Sequence, residues 1–591
     1  MFSCQSCVAL ERQTGMEKSI SAIGLGGFSE MTDTNKLEPY NPERTIPSSG
    51  TRTLRQRAPG IATGVLCFVL SLFFYYGTVL RVQLKRTDLL DLGPFPDGVE
   101  YFALANSILK EGAPTIQIGY DKLPSRYPLG YPILMIPWLA FLPHNGILAP
   151  FRTNETVGLL LLIGSFTFYF AIGRPLAGGL ATLLIATQPA FITFSRSSLS
   201  DLSGAAVAVL AFALVYLGIA WRRRWPIYCS AIVLGLSLCI RSQLLFMAPL
   251  LLAMALFPTN GSWRRCLMHC CLVVVVFAAA SAPYFIFNVL EFGHPLKTGY
   301  DFWVPGWTES HQFFSLRNVP PQLRMIWSEV AANWDQFRVA NLFGTGTYVV
   351  PAFICLSALG LSFVRMARFA FSAFLAGGIY VIATVTYFYV DARLFLPIFL
   401  LLVALAVLPV EWAMVQALKL RFSLSTVGVL IVFVLTCIGY PSQSGFRPKR
   451  NRSQAWDALH YASSKQRSPR YEAEQEFRRS FGNDPGIVLS DIDPPYLNVL
   501  LPKPFVAAPI DNQHNYCYSH QWHYGKEEAV RLLQSGLDHS TPVYALLFPS
   551  KHDDQEIQRL PQIQGYTWRR SEKSGAKAVI MTLTKSVSDQ F

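Results

Sequence analysis

Residues 61–80 read IATGVLCFVLSLFFYYGTVL, twenty positions without a charged side chain. A helix rises 1.5 Å per residue, so a run of this length extends about 30 Å, the thickness of a bilayer's hydrocarbon core. Leu202–Ala220 is a second run of the same kind. Further apolar runs are Val157–Gly173, Leu176–Ser195, Trp225–Ile240, Ser242–Phe257, His269–Leu290, Thr347–Val364, Phe369–Val390, Leu394–Val410 and Phe422–Tyr440, which makes eleven candidate spans. The chain of 591 residues is 51% hydrophobic and only 15% charged, and its charges are clustered. No soluble core needs so many long apolar segments. The predicted fold class is therefore a polytopic α-helical membrane protein.

Arginine and lysine orient the spans. With the N-terminus in the cytoplasm, the short inside loops carry Arg174, Arg222, Arg223, Arg224, Arg264, Arg265, Arg365, Arg368, Lys419 and Arg421. The short outside connections carry only Arg196, Arg241 and Arg393. Leu129–Pro143 is apolar but short, and Pro132, Pro137 and Pro143 interrupt it. Counting it as a span would reverse every later loop and erase the arginine bias, so it is expected at the outer interface. The same bias accounts for the net charge of +13 without nucleic acid. Residues 1–60 are polar and lack the apolar core of a signal peptide, which predicts a disordered cytoplasmic tail before an uncleaved signal anchor. Met16 and Met31 are alternative start sites, Cys4 and Cys7 lack the second pair that a structural zinc site needs, and the sequons at Asn154, Asn260 and Asn451 are short enough to arise by chance.

Three polar regions fall outside on this topology. The first, 81–156, contains Pro96–Pro132, PDGVEYFALANSILKEGAPTIQIGYDKLPSRYPLGYP. The second, 291–346, is rich in aromatics. The third, 441–591, has ordinary soluble character, with buried-strand patterns at Gly486–Asp491, Val543–Phe548 and Ala578–Leu583 and helical patterns at Ala455–Ser464 and Lys526–Ser535. It is predicted to be a small extracytoplasmic α/β domain, leaving 61–440 as the transmembrane unit.

Ionisable groups that this topology gathers on the outer side are candidates for chemistry. Asp97 precedes a short amphipathic helix marked by Tyr101, Leu104, Ala105 and Ile108, and it has a structural alternative as that helix's cap. Glu100 sits where a capping-box acid would. Lys122 and Arg126 lie in KLPSRYPLGYP, where a cation beside rigid Pro and Tyr residues suits a phosphate; ordinary contact with lipid headgroups is the alternative. Asp201 closes the segment Ser195–Asp201, and Asp391 and Arg393 lie just before a late span. These too have an alternative reading as topology markers.

The pattern resembles the GT-C superfamily of polyprenyl-phosphate-sugar-dependent glycosyltransferases, in the branch of protein O-mannosyltransferases and the lipid A aminoarabinose transferase. The matching pieces are Asp97 with Tyr101 and Ala105, Arg126–Pro132 (RYPLGYP), Ser195–Asp201, Phe292-Gly293-His294-Pro295 with Gly299-Tyr300, and Asp391–Pro397 (DARLFLP), together spanning about residues 61–410. The resemblance implies inverting transfer of a sugar from a polyprenyl-phosphate donor to a hydroxyl of a lipid, glycan or protein acceptor. In that scheme Asp97 is the base. Arg126 and Arg393, with Lys122, hold the departing phosphate. Asp201, Glu100 and Asp391 orient acceptor or sugar, and Tyr300, Trp303 and Trp307 supply aromatic faces for sugar rings or else anchor the interface. It implies no metal or other cofactor, although some members of the superfamily use a divalent ion. It also implies a bacterial inner membrane with the site facing the periplasm. A transporter or lipid flippase is the alternative from another class, but no inverted repeat is visible and the charges lie at span ends. A non-catalytic scaffold leaves the acid and cation clusters unexplained.

Overall fold

A computed structural model of the chain describes residues 54–81, 97–142, 146–187, 189–256, 262–304, 313–324, 357–360, 367–388, 392–419, 477, 479–481, 485–491, 505–510, 524–547, 557–571 and 579–586. The chain divides into two units, Met1–Arg57 and Ala58–Phe591, and the architecture below is that of the second. The expected tail falls almost wholly outside the described residues, as do the expected span at Phe422–Tyr440, the predicted helix Ala455–Ser464 and the site residues Asp391 and Trp307.

Among the described residues six helices are long and apolar enough to cross a membrane: Gly60–Leu80, Ala149–Ala171, Asp201–Ala220, Trp263–Phe292, Phe369–Thr386 and Arg393–Gln416. The first continues α1 (Leu54–Tyr75) through a π turn, Tyr76–Leu80. The others are α4 (Ala149–Ala171), α7 (Asp201–Ala220), α9 (Trp263–Phe292), α11 (Ala367–Thr386) and α12 (Leu396–Lys419). Leu176–Ser195 is occupied by α5 (Pro175–Thr187) and α6 (Pro189–Ser195), residue 188 lying outside the described residues. Two predicted spans are shorter than expected. Trp225–Ile240 shortens to α8 (Trp225–Ser237). Ser242–Phe257, with Pro249 inside, winds as a 3-10 helix over Ser242–Met254. The short apolar segment after residue 129 is α3 (Gly130–Phe141).

Helices α1 and α4 run antiparallel. Tyr75, near the end of α1, donates to the carbonyl of Glu155, near the start of α4, at 2.8 Å. Phe68 stacks on Phe166 midway, with ring centroids 4.3 Å apart. At the other end Gly64 meets Pro175 so closely that a Cβ would strike its carbonyl. The shared core gathers Cys67, Leu162, Leu180, Leu183, Phe191, Leu396 and Val403, all nearly inaccessible to solvent. The sequon residue Asn154 is fully buried, and its amide donates to the carbonyls of Ser197 at 2.8 Å and Leu199 at 2.7 Å. That asparagine is a brace for the turn before α7.

Between α1 and α3 lie α2 (Asp97–Glu111) and an antiparallel hairpin, β1 (Thr115–Ile118) with β2 (Asp121–Pro124). The C-terminal region forms a five-stranded mixed sheet in the order β4-β3-β5-β7-β6: β3 (Gly486–Ser490), β4 (Phe505–Pro509), β5 (Val543–Leu547), β6 (Tyr566–Arg570) and β7 (Val579–Lys585). The strands expected at 486, 543 and 578 are present, and β3 pairs in parallel with both β4 and β5. Helix α13 (Lys526–Asp538) follows the predicted helical pattern. Both faces of the sheet are buried. Val488, Phe505, Tyr544 and Leu546 share a core with Tyr101, Tyr127 and Tyr131 of the first polar region. Ile487, Leu489, Ala508 and Ala545 share another with Ile116, Ile118 and Leu123 of the hairpin. The amide of Gly119, in the hairpin turn at φ +60°, donates to the carbonyl of Ala507 on edge strand β4 at 3.0 Å.

Candidate active site

Asp97 is the first residue of α2, and the partners of its carboxylate lie on other elements. The Tyr127 hydroxyl donates to Oδ1 at 2.5 Å, and Arg393 Nη1 donates to Oδ2 at 3.0 Å. Asp97 and Arg393 are thus in direct contact across 296 residues of sequence. Both side chains retain some access, 15% and 14%. Arg393 stands in the 3-10 turn Ala392–Phe395 that leads into α12.

Local structure fixes the loop that brings Tyr127 here. Glu100 lies one turn along α2, is fully buried and accepts the Arg126 amide at 2.7 Å. It therefore pins the loop. The Ser125 hydroxyl donates to the Tyr127 carbonyl at 2.7 Å and accepts the Tyr127 amide at 2.9 Å. Gly299, opening the short helix α10 (Gly299–Trp303), lies against Ser125 and Arg126 with no room for a Cβ. The Arg126 side chain is buried, 8% exposed.

A second acid–arginine pair stands beside the first. Asp201, the first residue of α7 and 3% exposed, accepts from Arg241 Nη1, and Arg241 Nη2 donates to Gln243 at 3.2 Å. Gly204, one turn beyond Asp201, makes room for the arginine stem, since a Cβ there would meet Arg241 Cδ. Arg241 was expected only as a topology marker. The signal that could have found it is its position as a lone cation between two apolar helices, because a charge in such a place is retained only with a partner.

Tyrosines join the two pairs. Tyr101 shares a 3.0 Å hydrogen bond with Ser200, next to Asp201, and its ring lies 4.9 Å from that of Tyr127. Tyr300 meets Tyr127 edge-on at 5.9 Å. Tyr380 donates to the Leu394 carbonyl, beside Arg393, at 2.8 Å. Burial pushes the Tyr127 phenol well above its ordinary ionisation range, and Tyr300 and Asp97 add to the effect. Burial and Asp97 act likewise on Tyr101. Both remain neutral at physiological pH.

Two sequence assignments are corrected. Lys122 does not join the pairs: it alternates outward from β2, half exposed, and its ammonium binds Glu111 at 2.7 Å. Trp303 offers no open face for a sugar; it is 1% exposed, and its indole nitrogen donates to the Pro124 carbonyl at 2.9 Å. Asp97, Arg126, Asp201, Tyr300 and Arg393 are brought together, with Glu100 behind them. Among the described residues no three metal-ligating side chains gather in one place.

No protein-family model and no curated protein sequence matches the chain. Solved structures do. ArnT from Cupriavidus metallidurans bound to undecaprenyl phosphate superposes with a TM-score of 0.58 at 13% identity, over 88% of this chain and 97% of that one. The apo form of the same protein gives 0.54 at 13% identity, over 88% and 97%. AglB, the oligosaccharyltransferase of Archaeoglobus fulgidus, in complex with an inhibitory peptide and a dolichol-phosphate, gives 0.50 at 13% identity, over 91% and 75%. The architecture built here, apolar helices with a polar first loop and a C-terminal sheet, is therefore a fold shared with ArnT and AglB.

Proposed function

We propose that this protein transfers a sugar from a polyprenyl-phosphate donor to a hydroxyl of a lipid, glycan or protein acceptor, at the outer face of the bacterial inner membrane and with inversion. The observation that carries the reading is the Asp97–Arg393 contact, an acid and a guanidinium at one span-end cluster. The undecaprenyl phosphate bound by ArnT and the dolichol-phosphate bound by AglB support a lipid phosphate as the carrier.

In this scheme the donor's phosphate enters beside Arg393 and draws its guanidinium from Asp97. Arg fits that task because its planar fork holds two phosphate oxygens at once. Arg126 adds positive charge from the neighbouring loop. Asp97, still held by Tyr127, then takes the proton of the acceptor hydroxyl. The acceptor oxygen bonds to the anomeric carbon from the face opposite the phosphate. The carbon–phosphate oxygen bond breaks, and the lipid phosphate leaves with the electron pair, stabilised by the arginines. Asp201 and Arg241 set the field and shape of the acceptor side, together with Tyr300. Two guanidinium groups supply the charge, so the scheme uses no metal or other cofactor. The N-terminus is cytoplasmic, and residues 441–591 form the extracytoplasmic α/β domain.

The test is a comparison of envelope lipids and glycans between a deletion strain and its parent. One sugar-modified species is expected to disappear, to return with the wild-type gene, and to stay absent with Asp97→Asn expressed at equal level. Full restoration by Asp97→Asn would refute the assignment of the base.

A further inference from the structure

The end of the helices remote from the acid–arginine pairs carries a different concentration of charge. Helix α7 runs from Asp201 to Ala220, about 30 Å at 1.5 Å per residue, and α8 returns toward Arg241. The turn between them reads Trp221-Arg222-Arg223-Arg224-Trp225, and α9 begins Trp263-Arg264-Arg265. Trp221, Trp225 and Trp263 are 45%, 55% and 68% exposed, and Arg222, Arg223, Arg264 and Arg265 are exposed as well. Between Leu202 and Leu290 the sequence contains no Asp or Glu, so the stretch that carries Arg222, Arg223, Arg264 and Arg265 brings no carboxylate of its own to this end of the helices. Arg174, at the end of α4, differs in this respect, for it pairs with Glu411 at 3.4 Å.

Part of this surface is built to hold its shape. Arg224 Nη1 donates to His269 Nε2 at 2.9 Å, which leaves the Nδ1–H of that ring to bond Tyr228 at 2.6 Å. That chain ties the α7–α8 turn to α9 and carries the two arginine groups on one side. The guanidinium of Arg264 lies over the Trp263 ring, 6.0 Å from its centroid. Exposed tryptophans beside arginines at the ends of membrane helices match the level of lipid headgroups, where an indole has one apolar and one wet edge.

We propose that this patch is a binding site for an anionic phospholipid of the leaflet opposite the active site. The guanidiniums of Arg222, Arg223, Arg264 and Arg265 hold its phosphate, and the three tryptophans flank its glycerol and upper acyl chains. Positive charge selects the anionic headgroup over a zwitterionic one, and span-end tryptophans favour a lipid over an acidic protein.

The experiment uses the full-length protein in phosphatidylcholine nanodiscs containing either dibrominated phosphatidylglycerol or dibrominated phosphatidylcholine. Bromine quenches nearby tryptophan. Wild type is expected to be quenched at several-fold lower mole fraction of the phosphatidylglycerol. Each single substitution, Arg222→Gln, Arg223→Gln, Arg264→Gln or Arg265→Gln, is expected to weaken that preference by about fivefold, the effect of one basic side chain near an anionic surface. Arg264→Lys, which keeps the charge, is expected to retain most of it. Equal quenching by the two lipids in wild type overturns the proposal and leaves the patch to an acidic protein partner. An unchanged preference in all four glutamine variants overturns it too.

Discussion

The two acid–arginine pairs differ in how firmly they are held. Asp201 is 2% exposed in its side chain, and Arg241 is threaded over Gly204 and held by Gln243 on its other nitrogen. Asp97 is 15% exposed, and its partner Arg393 comes from a short 3-10 turn before α12. The two arginines are about equally exposed, at 15% and 14%, so the difference lies in the acids: Asp201 is closed off, while Asp97 has an open side. Removing one member of a buried pair strands the other in a low dielectric, whereas a pair reached by solvent can exchange partners. On the proposed function, the contrast separates a pair that shapes the site from one that a donor phosphate would part.

Substitutions can break that contrast. The largest expected effect is Arg241→Ala, which strands Asp201 and should cost about 3–5 kcal/mol of stability. It would be read as a lowered melting temperature in detergent, and the double variant Asp201→Asn/Arg241→Gln should recover much of the loss. A melting temperature equal to wild type for Arg241→Ala would show that the second pair is no more fixed than the first. Next, Arg393→Ala should weaken binding of undecaprenyl phosphate by about 10- to 100-fold, the loss of a charged hydrogen bond, while melting changes less than in Arg241→Ala. Unchanged affinity in a direct binding titration would return Arg393 to the role of a topology residue. Lys122→Ala sharpens the comparison from outside the site. An exposed pair contributes about 0–1 kcal/mol, so neither melting nor lipid-phosphate binding should shift appreciably.

The smallest effect at neutral pH concerns Tyr127. Its ionisation is raised in the folded chain by burial first, then by Tyr300 and Asp97. The unfolded chain releases that proton near pH 10 and the folded chain does not, so stability present below pH 10 declines as pH rises beyond it. Melting temperature should be flat from pH 7 to about 9.5, and its alkaline fall should be shallower in Tyr127→Phe.

Sequence reading reached the membrane class and the first pair for a physical reason. Long uncharged runs have few uses outside a bilayer, and an arginine bias assigns each loop to a side. That bias put Asp97 and Arg393 on one face, and the structure brings them into contact. It stopped short of Arg241, because pairing with Asp201 depends on how α7 and α8 lie together, which the side assignment does not encode. Lys122 was misread because its turn-rich surroundings suggest a binding loop, whereas the register of β1 with β2 buries Leu123 and turns Lys122 outward. Trp303 looked like a surface aromatic because tryptophan serves equally as platform and as core filler. Strand β4, bounded by prolines in PKPFVAAPI, and the polar edge strand β6 gave no alternating pattern to read. One predicted span winds as a 3-10 helix, with Pro249 inside a run that hydrophobicity alone reads as an α-helix.

The bond from Gly119 to Ala507 has a temporal consequence. A ribosome adding about 5–20 residues per second needs on the order of tens of seconds to travel from the hairpin tip to the strand that receives it. During that interval the polar segment after α1 lacks the surface that completes its core. Catalytic competence would thus arrive with the last part of the chain to be synthesised. A nascent polypeptide stalled before β4 would be an inserted but inert membrane protein.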